Sequence, residues 1–205
     1  MLPLRKPAML KAVLFDLDNT LVDRDRAFLE CVRARFSDPA VRAQLIRLDQ
    51  GGRGDRRRLF DFWEQRAEEL INQEVFGQFL AQRLRPDAAL LEALRILSDR
   101  VKLGIITNGS GGTQRAKLKA AGLTEVIPPD RVWLSGEVGK AKPDPWIFLL
   151  ACQALEEPPA HCLFVGDQES DDEAGAKAAG MRSRLVNAVL NGETLNRLIR
   201  EEQAR

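Results

Sequence analysis

Four short apolar runs, at residues 12–15, 101–107, 132–134 and 162–165, are each followed by a turn and then by a stretch of helical periodicity. This alternation constrains the fold more than any other feature, because strands separated by helices assemble into a parallel sheet with helices packed on it. The runs are continuous rather than alternating, as strands buried on both faces require. A fifth strand is expected at 182–186, ahead of a more polar helix over 193–202. The expected fold class is therefore α/β, with a doubly wound parallel sheet at its core.

Between the first two runs lie roughly eighty residues, far more than one crossover needs. Helical periodicity recurs there at 24–36, 41–48, 57–70, 74–84 and 88–98, with no strand signal. Only the last of these helices is required to return the chain to the sheet. Residues 23–85 are accordingly expected to form an inserted helical cap domain, with 1–22 and 86–205 as the catalytic core. Pro86 marks the return, since proline suits a helix start and disfavours helix in the residue before it. A chain of 205 residues with 44% hydrophobic content can support one core and a smaller unit of this kind.

Lys plus Arg number 31 against 30 Asp plus Glu, a formal net charge of +1. No global field recruits nucleic acid or an anionic membrane, so a charged ligand must be held locally. The N-terminus has charge but no apolar stretch of the signal-peptide kind, and no long apolar run follows, so an unexported, cytoplasmic protein is expected. Cys31, Cys152 and Cys162 sit in apolar contexts without metal-type pairing and read as buried thiols. A monomer is the simplest assembly, a homodimer the alternative. The single histidine, His161, precedes a strand and is expected at the surface, leaving Ser-His-Asp and Cys-His chemistry without support.

In open parallel sheets, ligands bind at the carboxyl ends of the strands, and the polar residues of this sequence gather at those ends. Asp16 and Asp18, in Phe15-Asp16-Leu17-Asp18-Asn19-Thr20, are two apart, which sets both side chains on one face. Carboxylates sharing a site repel, raising the proton affinity of one of them; the competing reading is an acidic turn capping a helix. Thr107-Asn108-Gly109-Ser110-Gly111-Gly112 joins a strand to a helix, where small residues let backbone N–H groups close on an anion. Its competing reading is a glycine-rich turn capped by Ser110 or Thr113. Lys142, beside Pro143-Asp144-Pro145, is placed to offset negative charge, with Lys140 as a rival. Asp167, Glu169, Asp171 and Asp172 crowd four acids into seven residues after the last central strand. An oxygen-only donor set of this density suits a hard cation such as Mg2+.

Taken in order, these segments resemble the motifs of the haloacid dehalogenase-like hydrolase superfamily, from about Lys11 to Arg184 apart from the inserted helices. The first is Lys11 to Leu21; the second is Ile106-Thr107-Asn108-Gly109. The third runs from Ser135-Gly136-Glu137-Val138-Gly139 through Lys142-Pro143-Asp144-Pro145. The fourth is Val165-Gly166-Asp167 with Asp172. The resemblance implies a Rossmann-like core and a phosphatase with a helical cap. It implies Asp16 as a nucleophile that becomes an aspartyl-phosphate, and Asp18 as the acid that protonates the leaving oxygen and later activates water. Mg2+ is then held by Asp16, the Asp18 carbonyl, Asp167 and Asp172. Thr107, Asn108 and Gly109 cradle the phosphate, and Lys142 steadies the charge. Gln168 stands where serine is common and Asp171 where asparagine is frequent, leaving both Asp171 and Asp172 open as the second acid, with the family spacing favouring Asp172.

The expected substrate is a small phosphorylated metabolite: a sugar phosphate, a nucleoside monophosphate or a phospho-organic acid. Asp18 argues against a dehalogenase, whose departing halide needs no proton. The alternatives are a phosphomutase of the same fold and, from another class, a phosphate-receiving signalling domain. In the inserted helices, Arg53, Arg56, Arg57 and Arg58 read either as an anion grip or as a solvated face. Phe60, Phe62 and Trp63 read as packing.

Overall fold

A computed structural model describes residues 9–67 and 69–204. β1 (Ala12–Phe15) is the centre of a five-stranded sheet, flanked by β2 (Lys102–Thr107) and β4 (Cys162–Gly166). β3 (Val132–Leu134) and β5 (Arg182–Leu185) form the edges, giving the order β3-β2-β1-β4-β5 with every pairing parallel. The α/β fold class and its Rossmann-like sheet thus agree with the sequence expectation. β1 and β4 are buried along their whole length, whereas β5 is partly exposed, in keeping with its three polar residues.

The pleat sorts side chains by parity. Val13 and Phe15 face a core built with α5 (Ala88–Ser98), Leu118 of α6 (Gly111–Ala120) and α10 (Gly192–Gln203), while Ala12 and Leu14 face α8 (Pro145–Ala154) and α9 (Ala174–Ala178). A period of two on continuously apolar strands yields two cores, one on each face.

Register fixes where the chemistry lies. Phe15 pairs with Ile105 on one side and with Val165 on the other, so Asp16, Thr107 and Gly166 emerge together at one edge of the sheet. The Asp16 N–H donates to the Val165 carbonyl at 2.8 Å and extends the pairing by one residue.

Four helices fill the stretch between β1 and α5: α1 (Arg24–Arg35), α2 (Pro39–Asp49), α3 (Arg56–Ala67) and α4 (Gln73–Ala81). Asp23, Asp38 and Asn72 cap three of them, each side chain accepting a first-turn N–H. α3 is described as far as Ala67, and Glu69 and Leu70, within the expected helix, lie outside it. Trp63, fully buried, meets Phe36, Phe76 and Phe79, with its ring 4.9 Å from that of Phe36 in an edge-to-face pair. Phe60 touches Phe76, so these aromatics pack as expected. α4 lies against α6, and Thr113 of α6 donates to the Gln73 carbonyl at 2.9 Å. Among the described residues, no helix is long and apolar enough to cross a membrane. Cys31, Cys152 and Cys162 are buried free thiols.

Candidate active site

The strand ends open into a cavity of about 400 Å3, lined on the sheet side by Asp16, Asp18, Thr107, Asn108, Gly109, Lys142, Asp167 and Asp172. All the residues expected at the site therefore meet in one place, across more than 150 residues of chain. Facing them are Arg24, Gly51, Gly52, Arg53, Arg56, Phe76 and Leu80 of the intervening helical segment.

Lys142 is the hub on the β4 side. Its ammonium is buried and donates to Asp16 Oδ1 and Asp172 Oδ1, each at 2.6 Å. Two carboxylates raise the lysine's pKa even though burial works against its charge. Lys140 instead pairs with Asp144 at 3.2 Å on the surface, which decides between the two lysines. The Asn108 carboxamide fixes the Lys142 backbone, accepting from its N–H at 2.9 Å and donating to its carbonyl at 3.0 Å. With its side chain committed there, Asn108 faces the cavity with its backbone.

Carboxylate oxygens of Asp16, Asp167 and Asp172 lie within 4.8 Å of one another. Asp172, only 1% exposed, also accepts from the Gln168 N–H at 3.0 Å. Asp171 lines the cavity but stands outside this cluster. A π-helical turn over Glu169–Glu173 produces the arrangement, bringing back a side chain five residues after Asp167. Gly166 is required for the approach, since a Cβ there would lie 2.2 Å from the Asp172 carboxylate.

Burial, only partly offset by Lys142 and reinforced by Asp172 and Asp18, pushes the Asp16 carboxyl up to about 7. Asp167 is also raised, chiefly by burial. Asp18 goes the other way. Burial would lift it, but Lys117, Arg24 and Gln114 together hold it below the usual carboxylate range. Repulsion between the two carboxyls is a minor cause beside burial, and it is Asp16, the candidate nucleophile, that is raised, while Asp18, expected to carry the proton, is lowered. The cause is Lys117, whose ammonium donates to both Asp18 oxygens, at 2.6 and 2.5 Å.

On the β2 side, Thr107 is 1% exposed, and its hydroxyl accepts from Gln114 Nε2 at 2.7 Å. With that lone pair filled, its O–H is directed to donate. Gly109 has φ +145°, and its N–H donates to Ser135 Oγ at 2.9 Å. The Ser110 hydroxyl bonds Thr113 Oγ1 at 2.9 Å and makes no cap to α6, contrary to the plain capping reading. The first N–H groups of α6 thus meet the cavity without a side-chain cap, a site suited to an anion.

Gln114 and Lys117 are site residues that the motif reading missed. In Thr113-Gln114-Arg115-Ala116-Lys117-Leu118 they look like ordinary surface polar residues. The available signal is their spacing of three, in phase with the buried Leu118 and Ala121. The arginine patch separates into distinct roles. Arg56 donates to Asp49 Oδ1 at 2.7 Å, beside buried Arg24, which grips the same carboxylate. Arg53 reaches across to the Gln168 carboxamide, and Arg57 and Arg58 are exposed. His161 is partly buried at the start of β4, the end of the sheet away from the cleft.

A family model described as haloacid dehalogenase-like hydrolase matches residues 10–180. An N-acetylmuramic acid 6-phosphate phosphatase from Pseudomonas putida is 33% identical over 193 residues, covering 86% of this chain and 82% of that protein. A phosphoserine phosphatase from Thermus thermophilus is 37% identical over 131 residues, covering 63% of this chain and only 50% of that protein. Among solved structures, the HAD-hydrolase YfnB from Bacillus subtilis bound to magnesium superposes with a TM-score of 0.71, covering 94% of this chain and 99% of that one. At 19% identity, that likeness is one of fold.

Proposed function

The chain belongs to the haloacid dehalogenase-like hydrolases, and on that premise we propose a Mg2+-dependent phosphatase that cleaves a small phosphorylated metabolite through an aspartyl-phosphate on Asp16. One observation carries the reading: Lys142 bridges Asp16 and Asp172 at 2.6 Å each, with Asp167 in the same cluster, at the strand ends facing Thr107 and the start of α6.

In the first step the Asp16 carboxylate attacks phosphorus. The ester P–O bond breaks, and the departing oxygen takes a proton from Asp18. In the second, water attacks the aspartyl-phosphate and gives its proton to Asp18, releasing phosphate and restoring the Asp16 carboxylate. Lys142 steadies the Asp16 charge. The Thr107 O–H, the Asn108 N–H and the open N–H groups of α6 hold the phosphoryl oxygens, while Gly109, whose N–H goes to Ser135 Oγ, shapes the turn and does not itself donate to the phosphate.

The acids fit a magnesium ion. Their donors are all oxygen, they cluster within 4.8 Å, and Asp16 and Asp167 are both raised, chiefly by burial. The ligands would be Asp16, Asp167 and the Asp18 backbone carbonyl, with Asp172 binding directly or through water. When bound, Mg2+ supplies neutralising charge that keeps Asp16 ionised and draws charge from the phosphoryl oxygens.

Residues 23–85 act as a cap in this reading, supported by the contribution of Gly51, Arg53, Phe76 and Leu80 to the same cavity as Asp16. A cavity of about 400 Å3 has room for a sugar phosphate, a nucleoside monophosphate or a phospho-organic acid. Neither nucleic acid nor membrane has a part, and the unit acts as a monomer in the cytoplasm.

The test is phosphate release from a panel of such esters. Turnover should stop on chelation, return with Mg2+ and vanish in Asp16→Asn. In single-turnover samples, intact-mass measurement should find a phosphoryl group on the wild-type chain alone. Full turnover by Asp16→Asn would refute the mechanism, and isomerised ester without phosphate release would replace hydrolysis by a mutase.

A further inference from the structure

Two lysines are buried among the described residues, Lys142 and Lys117. Lys142 has its place in the motif set. Lys117 does not, yet its side chain is 3% exposed and both its bonds go to one residue, Asp18. An ammonium removed from water is costly unless it is paired. As a mere tie between α6 and the loop after β1, this pair is a poor choice, because well-packed apolar residues at a buried ion pair often stabilise as much or more.

Gln114, one turn earlier on α6, shares the arrangement. Its Nε2 lies 3.2 Å from Asp18 Oδ2, 2.7 Å from Thr107 Oγ1 and 3.1 Å from the Asn108 carbonyl. One helix face therefore holds both oxygens of the acid and, through the same carboxamide, the strand end that receives the phosphate. Resting on the phosphatase reading above, we propose that Lys117, supported by Gln114, is a positioning residue that locks the Asp18 carboxyl in place for proton transfer to the leaving oxygen.

The physical effect is orientation. A proton donor must be within hydrogen-bond reach of the departing oxygen as the P–O bond breaks, and a side chain clamped at both oxygens spends little time elsewhere. In that step Asp18, having taken up a proton from solvent as the phosphate anion enters beside it, gives that proton to the ester oxygen while Lys117 stays on its other oxygen; the bond's electron pair departs with the ester oxygen, and Asp16 gains the phosphoryl group. Lys117 keeps its own proton throughout.

A mispositioned acid should matter most where the leaving group most needs a proton. The experiment measures kcat/KM for aryl phosphates of graded leaving-group acidity, from 4-nitrophenyl phosphate to unsubstituted phenyl phosphate, with Mg2+ present. Lys117→Met should lose roughly 100-fold on phenyl phosphate and only about 3-fold on 4-nitrophenyl phosphate, within the usual span of general-acid effects. Lys117→Arg should recover part of the steep loss. In an Asp18→Asn background, adding Lys117→Met should cost less than about 2-fold, since residues acting through one another are not additive.

Thermal melts run in parallel, and Gln114→Leu provides a second variant expected to show the same graded pattern on a smaller scale. Equal losses across the ester series, or additivity with Asp18→Asn, would overturn the proposal and leave Lys117 as a structural lysine. Such a result in an active wild-type enzyme leaves the phosphatase reading standing. A wild-type protein that hydrolyses none of the esters with Mg2+ would instead remove that reading, and this one with it.

Discussion

Asp49→Asn should destabilise the protein by about 3 kcal/mol, the low end of what removing one partner of a buried ion pair costs. Asp49 is 2% exposed and accepts four hydrogen bonds. Two come from the Arg24 guanidinium, one from Arg56 at 2.7 Å and one from the Gly52 N–H at 3.1 Å. Losing the charge leaves Arg24, itself 2% exposed, with half-exposed Asp25 at 3.0 Å as its remaining carboxylate. Arg56 is 28% exposed and can rehydrate, which keeps the cost at the lower figure. For a chain of this size, about 3 kcal/mol corresponds to a drop in Tm of roughly 6–12 °C. The effect carries a pH signature. Burial would raise the Asp49 carboxyl, but Arg24 and Arg56 hold it below its ordinary 3.8. Ionised Asp49 therefore contributes its full stabilisation at neutral pH and loses it as pH falls through the lowered native value. Asparagine has nothing to titrate, so the gap in Tm between wild type and variant should be widest near pH 7 and narrow as pH falls below the ordinary carboxylate value of 3.8. Calorimetric melts at several pH values measure it. A shift under about 2 °C at neutral pH, or a gap independent of pH, would refute the reasoning. Replacing the pair together, Arg24→Met with Asp49→Leu, should restore most of the stability.

Gly166→Ala places a methyl group 2.2 Å from Asp172 Oδ2, so overpacking should cost about 1–3 kcal/mol. Because it drives Asp172 off Lys142, turnover should fall further than the melt does, as paired activity and thermal assays would show. Arg53 lines the cavity and, among the described residues, forms no ion pair; its guanidinium donates to the neutral Gln168 carboxamide. Arg53→Gln should raise KM for phosphorylated carboxylates roughly 10- to 100-fold, the value of a charge-assisted hydrogen bond. It should leave KM for neutral sugar phosphates unchanged, and a uniform change across both classes would refute the assignment.

The central strands were legible because burial on both faces leaves only apolar side chains: β1 and β3 fall where the runs predict them, and β4 adds only Gly166. That Asp16, Thr107 and Gly166 share one edge follows from parallel pairing, while their exact alignment is set by the register of Phe15 with Ile105 and Val165. The preference for Asp172 over Asp171 came only from the spacing of the family motif; the residues alone left both open, because a π turn over Glu169–Glu173 lies in the segment. The arginine patch resolved only when Asp49 and Arg24 were in place around Arg56, a three-body arrangement without local signature.

Lys117 and Gln114 were hidden for a deeper reason. On the inner face of a helix, apolar periodicity is the signal of burial, and a buried lysine writes the opposite letter at that position. Its burial makes sense only once Asp18, 99 residues away, supplies the charge that it meets. α6 begins at the loop that faces the phosphate and, one and two turns later, carries the groups that hold the acid. One helix therefore begins beside Thr107 and Asn108 and, farther along, holds the Asp18 carboxylate with Gln114 and Lys117.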